Sequence, residues 1–309
     1  MTDSVSNLYI GNLAVIGAGT MGGQIAARSA IAGKNVTLYD ALEGATERCL
    51  GRIENEIMPA LAETGQFSDN AEIALGRIRF AHSLHEAVAG AQLVIEAVRE
   101  ELETKRQVFA DLSAHSDAIL ATNSSSLPSS LLAESVADPS SLLNMHFFAP
   151  IWIRTMLEVM SCGQTSNAVL AAAMNYGRDL KLTTAAVRGE SKGFIINRIW
   201  RAVKRESLRV VDEGVADPED VDRLWMLFFQ TEFPPFGVMD MVGLDVVEDI
   251  ESSYQAVTLD PTDLPSPTLR SMVQAGLLGE KSGKGFYNHP DPAHQQDGFL
   301  LESDIESNR

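Results

Sequence analysis

Leu13-Ala-Val-Ile-Gly-Ala-Gly-Thr-Met-Gly22 is an apolar run that passes directly into Gly17-x-Gly19-x-x-Gly22 and then into a helical pattern. The order strand, glycine turn, helix gives an otherwise weak glycine match its meaning. The first glycine permits the tight turn, the second lets a diphosphate approach the backbone, and the third lets helix and strand pack closely. Gly17, Gly19, Thr20, Met21 and Gly22 are therefore candidate cofactor contacts, with the N–H groups at the helix start available to phosphate. A second apolar run, Val36-Thr-Leu-Tyr39, ends at Asp40, where a carboxylate accepts hydrogen bonds from the adenosine ribose and repels a 2′-phosphate. Ala41 offers no arginine to hold such a phosphate, so the expected cofactor is NAD rather than NADP. FAD uses the same kind of loop, but the small second half leaves little room for a flavin domain. A glycine-rich turn with no nucleotide is the bland alternative, and it gives Asp40 no role.

Outward from this stretch, short apolar runs alternate with helical patterns, as in parallel strands joined by crossover helices. Ile78-Arg-Phe80, Leu93-Val-Ile95 and Ala118-Ile-Leu-Ala121 read as further strands, and Cys49, Leu50, Ile53, Ile57 and Leu61 as one face of a long helix from Ala45 to Leu61. An alanine-rich helix from Asn167 to Leu180 and a strand from Thr183 to Val187 follow. Beyond Gly193 the pattern turns helical: Ile195, Ile196, Ile199, Trp200, Val203, Leu208 and Val211 mark one face of a helix that Gly214 can stop. Asp217-Pro218 reads as an N-cap and first helical position. The expected fold is α/β, an N-terminal Rossmann-type doubly wound sheet plus a smaller all-helical C-terminal domain. The expected boundaries are 1–187 for NAD binding, 188–290 for substrate and dimerisation, and 291–309 for a polar, acidic, frayed tail.

The 309 residues suit two domains, and 45% hydrophobic against 21% charged residues is a globular balance. A formal net charge of -18 repels nucleic acid and anionic lipid, so neither nucleic acid nor membrane is an expected partner. Cys49 and Cys162 form no disulfide framework and have no metal-ligand spacing, and the first residues carry no basic or long apolar stretch. These features point to a cytoplasmic protein with no metal.

Asn144-Met-His-Phe-Phe-Ala-Pro150 places one histidine, His146, among apolar neighbours at the expected end of a strand. Twelve residues on, Glu158 lies in the apolar run Met156-Leu-Glu-Val-Met160, where a carboxylate is costly unless partnered. A glutamate beside an imidazole fixes its tautomer and stabilises the imidazolium, as a general base requires. A lone histidine would read as a satisfied core residue; beside this glutamate and a dinucleotide loop, the catalytic reading prevails.

With these residues in place, the sequence resembles the L-3-hydroxyacyl-CoA dehydrogenase family, which includes 3-hydroxybutyryl-CoA dehydrogenases. The likeness runs from Gly17 to Tyr287. It is carried by the glycine loop, Glu96-Ala-Val-Arg-Glu100, Thr122-Asn-Ser-Ser-Ser-Leu-Pro128, His146-Phe-Phe-Ala-Pro150, Lys192-Gly-Phe-Ile-Ile-Asn-Arg198, Val242-Gly-Leu-Asp245 and Lys281-Ser-Gly-Lys-Gly-Phe-Tyr287. The resemblance implies that His146 takes the 3-hydroxyl proton while hydride passes to the nicotinamide, and that Glu158 holds the imidazole. It implies that Ser125 and Asn197 hydrogen-bond the substrate in a cleft between domains, and that Glu100, Lys105 and Asn123 contact or frame the cofactor. Taken alone, Glu100 and Lys105 could equally be a solvated helix start. An acyl-CoA substrate and a homodimer are further implications.

Several positions depart from the family pattern. Ala149 replaces an asparagine, Lys192 a proline, and Phe228-Phe-Gln-Thr-Glu-Phe-Pro-Pro-Phe-Gly237 a glycine-rich stretch, which predicts an altered or narrower pocket. No lysine occurs between Lys34 and Lys105, where the family tends to place cations for CoA. Arg48, Arg52 and the cluster Arg198, Arg201, Lys204, Arg205 and Arg209 remain possible phosphate contacts, although such a cluster on a helix also suits a solvated face. Arg154, read as lying in an apolar strand, either grips a free carboxylate on a small substrate or reaches outward. Two alternatives to the acyl-CoA activity therefore stand. One is the same chemistry on a free 3-hydroxy acid or specialised metabolite; the other is a catalytically idle NAD-binding or structural protein.

Overall fold

The computed structural model describes residues 8–301, which divide by contacts into a unit ending at Ile195 and a unit beginning at Ile196. The first unit holds β1 (Asn12–Ile16), α1 (Thr20–Ile31), β2 (Asn35–Tyr39), α2 (Ala45–Arg52), α3 (Met58–Glu63), α4 (Ala71–Leu75), β3 (Ile78–Phe80), α5 (Leu84–Val88), β4 (Leu93–Glu96), α6 (Leu102–His115), β5 (Ile119–Thr122), β6 (Leu142–Phe147), β7 (Met156–Ser161), α7 (Asn167–Asp179) and β8 (Thr183–Val187). Eight strands form one sheet in the order β3-β2-β1-β4-β5-β6-β7-β8. Every pairing is parallel except β6 with β7, which is antiparallel. The residues alternate in burial partner as strand geometry demands: Leu13 and Val15 pack with α1, α3 and α7, whereas Ala14 and Ile16 pack with α5 and α6. Helices therefore cover both faces, and the connection reverses between β1 and β4, the crevice where ligands of such sheets bind.

The helix expected from Ala45 to Leu61 is one continuous path, but Ile53–Ile57 widens into a π turn between α2 and α3. Ile53, Ile57 and Leu61 remain fully packed against the core through that turn. The segment after Val187 stays with the sheet rather than the helical unit. Ser191 donates its N–H to Met160 Sδ, and Phe194 is buried.

The second unit holds α8 (Ile196–Asp212), α9 (Pro218–Phe229), α10 (Pro235–Val242), α11 (Leu244–Thr258) and α12 (Pro267–Gln274) around Leu208, Phe236, Met239, Leu244 and Val247. Asp217 and Pro218 hold the positions the sequence suggests, but the Asp217 side chain makes no capping bond. The frayed tail is not what the described residues show up to Leu301. Phe299 joins the core beside Tyr287, its carbonyl accepts from Arg223 Nε at 2.6 Å, and His294 is buried; residues 302–309 lie outside the described residues. Two aromatic anchors in the polar run, invisible to a composition argument, account for the difference. The phenylalanine stretch also divides: Phe236 is core, Phe228 and Phe229 are exposed, and Phe233, also exposed, lines a cavity of about 270 Å³ with Gly237, Met241 and His294. Among the described residues no helix is long and apolar enough to cross a membrane.

Candidate active site

The three glycines of the loop differ in their surroundings as their roles require. Gly17 has φ +108°, and a Cβ there would lie 2.5 Å from the Ala97 carbonyl oxygen; a Cβ on Gly22 would lie 1.7 Å from the Gly17 carbonyl oxygen. Nothing stands within 4 Å of a Cβ on Gly19, so the backbone is open there to an approaching group. Gly19 caps α1 without a side-chain bond, which leaves the first N–H groups of the helix, from Thr20 and Met21 onward, to an anion. Asp40 Oδ2 accepts from Ala18 N–H at 2.7 Å and Oδ1 from Leu42 N–H at 2.8 Å, each oxygen keeping a lone pair for a ribose hydroxyl. The residues present thus fit a dinucleotide.

Further along the same carboxyl edge, β4 ends in Glu96, which is fully buried and accepts from Lys105 Nζ at 2.7 Å and Thr122 Oγ1 at 2.7 Å. Lys105 is only 1% exposed and also meets Glu100 at 3.2 Å, which excludes a solvated helix start for this lysine. Its ammonium is held by carboxylates, so it frames the loop rather than reaching out of it. Ser124 and Ser126 donate to Glu100 Oε1. Burial works against the Glu100 charge, but Lys105 and the two hydroxyls outweigh it and hold the carboxyl below its ordinary range. Lys105→Met is expected to lower stability by about 3–5 kcal/mol in urea unfolding, because Glu96 would keep a buried charge without its cation.

Asn123 follows β5, and its Oδ1 accepts from Phe147 N–H at 3.0 Å, fixing the end of β6 one residue beyond His146. The next-but-one residue, Ser125, is exposed on that loop. In the antiparallel register His146 stands directly opposite Glu158, and His146 Nδ1 lies 2.9 Å from Glu158 Oε2, both side chains buried. A carboxylate only accepts, so Nδ1 carries the proton and Nε2 is left as the basic nitrogen. Glu158 Oε1 also accepts from Ile195 N–H at 3.0 Å. The imidazole packs between Phe148, at 4.2 Å between ring centroids, and Phe194, at 4.7 Å. Phe194 has φ +54°, a left-handed conformation that costs a bulky residue free energy and here brings its ring onto the base. The sequence offered no sign of this contact. A cavity of about 830 Å³ opens at the opposite edge of the strands, around Tyr9, His85, His115 and Ile119, away from all these groups.

Arg154 departs from its expected place. It lies in the turn before β7, half-buried, and donates to the carbonyl of Ala149. Asn197 falls in the first turn of α8. The basic cluster on that helix is largely matched by acid: Arg201 meets Glu251 and Asp263 at 2.9 Å each, Arg205 meets Asp263 at 2.7 Å, and Lys204 meets Glu251 at 3.5 Å. Burial pushes the Lys204 ammonium below its ordinary range despite Glu251.

Residues 12–190 match the model for the NAD-binding domain of 3-hydroxyacyl-CoA dehydrogenase, and residues 193–289 match that for its C-terminal domain. The chain belongs to the 3-hydroxyacyl-CoA dehydrogenase family. A probable 3-hydroxybutyryl-CoA dehydrogenase of Deinococcus radiodurans is 36% identical over 277 residues, covering 89% of this chain and 99% of that protein. The 5-formyl-3-hydroxy-2-methylpyridine 4-carboxylate 5-dehydrogenase of Mesorhizobium japonicum is 33% identical over 288 residues, covering 90% of each. The crystal structure of (S)-3-hydroxybutyryl-CoA dehydrogenase from Ralstonia eutropha superimposes with a TM-score of 0.84 at 29% identity, covering 91% of this chain and all of that one. As a 3-hydroxyacyl-CoA dehydrogenase family member, the chain is an NAD-dependent oxidoreductase.

Proposed function

We propose that this chain interconverts an L-3-hydroxyacyl-CoA and its 3-keto product, with His146 as the general base. NAD, when bound, supplies the hydride acceptor. His146 Nε2 takes the 3-hydroxyl proton in oxidation and returns it in reduction, and Glu158 holds the ring and offsets the charge that the proton brings. Glu158 accepts from the Ile195 N–H with its other oxygen, which keeps the carboxylate aimed. Ser125 and Asn197 are assigned to the substrate oxygen or neighbouring carbonyl from the resemblance, orienting carbon 3 for transfer. Asn123, Lys105 and Glu100 set the loop that carries Ser125. The observation that carries this reading is the buried, register-paired His146 and Glu158 at the carboxyl edge of a sheet whose first loop accepts a dinucleotide. It also weighs against an idle NAD-binding protein. Burial of Cys49 and Cys162 as free thiols is in keeping with the cytoplasm. The exposed Leu224, Leu227, Phe228 and Phe229 of α9 are in keeping with a homodimer.

A second reading keeps the chemistry and replaces acyl-CoA with a free 3-hydroxy acid or related small carboxylate. Two observations favour it: Arg201, Lys204 and Arg205 of α8 are already paired with Glu251 or Asp263, and the relative from Mesorhizobium is named for a pyridine carboxylate. Oxidation of NADH with acetoacetyl-CoA, acetoacetate and longer keto acids separates the two. The expected result is a higher kcat/KM with acetoacetyl-CoA. A preference for a free acid by more than about a hundredfold, some 2.7 kcal/mol of transition-state binding, would replace the first reading with the second.

A further inference from the structure

We infer that Arg52 is a cofactor-positioning residue, a cation that supplies the diphosphate of NAD with part of its binding charge. It stands at the end of α2, a helix with no place in the glycine motif, and its guanidinium crosses to the loop. Nη2 donates to the Ala18 carbonyl at 3.0 Å and Nη1 approaches Thr20 Oγ1 at 3.4 Å. The N–H of the same Ala18 is held by Asp40 at 2.7 Å. The residue between the first two glycines is therefore gripped by a carboxylate through its amide hydrogen and by a guanidinium through its carbonyl, and Arg52 reaches the residue that opens α1.

A guanidinium carries five N–H donors, and the contacts to Ala18, Thr20 and the Cys49 thiol leave others to spare. Thr20 begins the helix whose open N–H groups face an incoming anion, and the first turn of α1 contains no acidic residue to oppose it. The whole chain bears a net charge of -18, so long-range attraction does not bring a dianionic diphosphate to this loop. Short-range charge must do so, and a half-buried guanidinium beside Thr20 provides it in the fork geometry that suits phosphate. The chain thereby separates two tasks at one loop: Asp40 addresses the ribose hydroxyls, and Arg52 addresses the phosphates.

The inference rests on NAD occupying the loop, so binding is measured directly and on fragments of the cofactor. NADH is titrated by its fluorescence, and ADP-ribose and adenosine by calorimetry, against the wild type, Arg52→Gln and Arg52→Lys. Arg52→Gln is expected to weaken NADH and ADP-ribose by about 10–30-fold and adenosine by less than about twofold, the difference of a charge-assisted bond to phosphate. Arg52→Lys, which keeps the charge and loses the fork, is expected to lose less than about fivefold. Equal losses for adenosine and ADP-ribose would make Arg52 a structural clamp on the loop and overturn the proposal, as would unchanged binding of both. A wild type that bound no NADH would overturn the cofactor assignment itself, an outcome separate from either of these.

Discussion

Replacement of His146 by alanine is expected to lower kcat by about 10²–10⁴-fold while leaving NADH affinity within about twofold of the wild type. The two readouts separate because the imidazole lies at the end of β6, whereas the dinucleotide groups lie after β1 and β2. Its loss removes the base, but it also leaves Glu158 without one partner, so thermal unfolding should be followed in parallel. Glu158 keeps the Ile195 N–H, and the strands on either side are parallel neighbours of a continuous sheet, so the fold has other support. A variant that retained kcat within threefold would remove His146 from the chemistry. Stopped-flow reduction with saturating cofactor is the appropriate measurement, since a slow product release would otherwise mask the change in the chemical step.

Much of this site is legible in the sequence because each part leaves a local mark. Apolar runs of four or five residues give the strands, and a strand ending in glycine or aspartate gives its functional edge. The pairing of His146 with Glu158 is legible for a further reason: a charged residue in Met156-Leu-Glu-Val-Met160 needs a partner, and a strand returning beside its predecessor supplies one at a register of twelve residues. What escapes the sequence depends on contacts between distant elements. Arg52 reads as a contact for a CoA phosphate, and its bond to the cofactor loop shows only once α2 is packed across that loop. Arg154 reads as a strand residue because the apolar run before β7 conceals a turn. Phe194 gives no local sign of its left-handed backbone, and Lys105 stands open between a frame for the cofactor and a solvated helix start until Glu96 is seen beneath it.

The cations of α8 show the same dependence with a functional consequence. A run of arginines and lysine on α8 suggests a phosphate site when only its own helix is considered. The acids that meet them, Glu251 on α11 and Asp263 in the turn after it, lie about fifty and sixty residues away in sequence. Ion pairs already formed have to be broken or shared before these groups can serve a CoA phosphate, and Glu251 is itself buried. The carrier question therefore turns on competition between internal acids and an external anion, which the substrate comparison reads directly.

Asp240→Ala is expected to destabilise the helical unit by about 3–5 kcal/mol, read as a lower urea midpoint. Asp240 is fully buried, and Oδ1 accepts from Phe286 N–H at 2.9 Å while Oδ2 accepts from Tyr287 N–H at 2.8 Å and meets His289 Nε2 at 3.1 Å. The turn Lys281-Ser-Gly-Lys-Gly-Phe-Tyr287 is thus wound around one side chain, which explains its second glycine, since a Cβ on Gly285 would lie 2.1 Å from Asp240 Oδ1; Gly283 is required instead by its φ of +77°. Tyr287 then donates its hydroxyl to Asp222 at 2.8 Å, and burial above all, with some help from Asp240, pushes the Asp222 carboxyl up to about 6. Alanine at 240 would leave two buried backbone donors and an imidazole without their acceptor, a loss that the vacated space cannot repair. Asparagine at 240 keeps one accepting oxygen but turns an amide hydrogen toward a donor, so an intermediate loss is expected. Since these contacts lie wholly within the helical unit, NADH should still bind the sheet unit of Asp240→Asn with wild-type affinity. An unchanged urea midpoint for Asp240→Ala would show instead that the signature turn is held by its own bridges, between Gly279, Lys284 and Asn288, and not by the carboxylate it encloses.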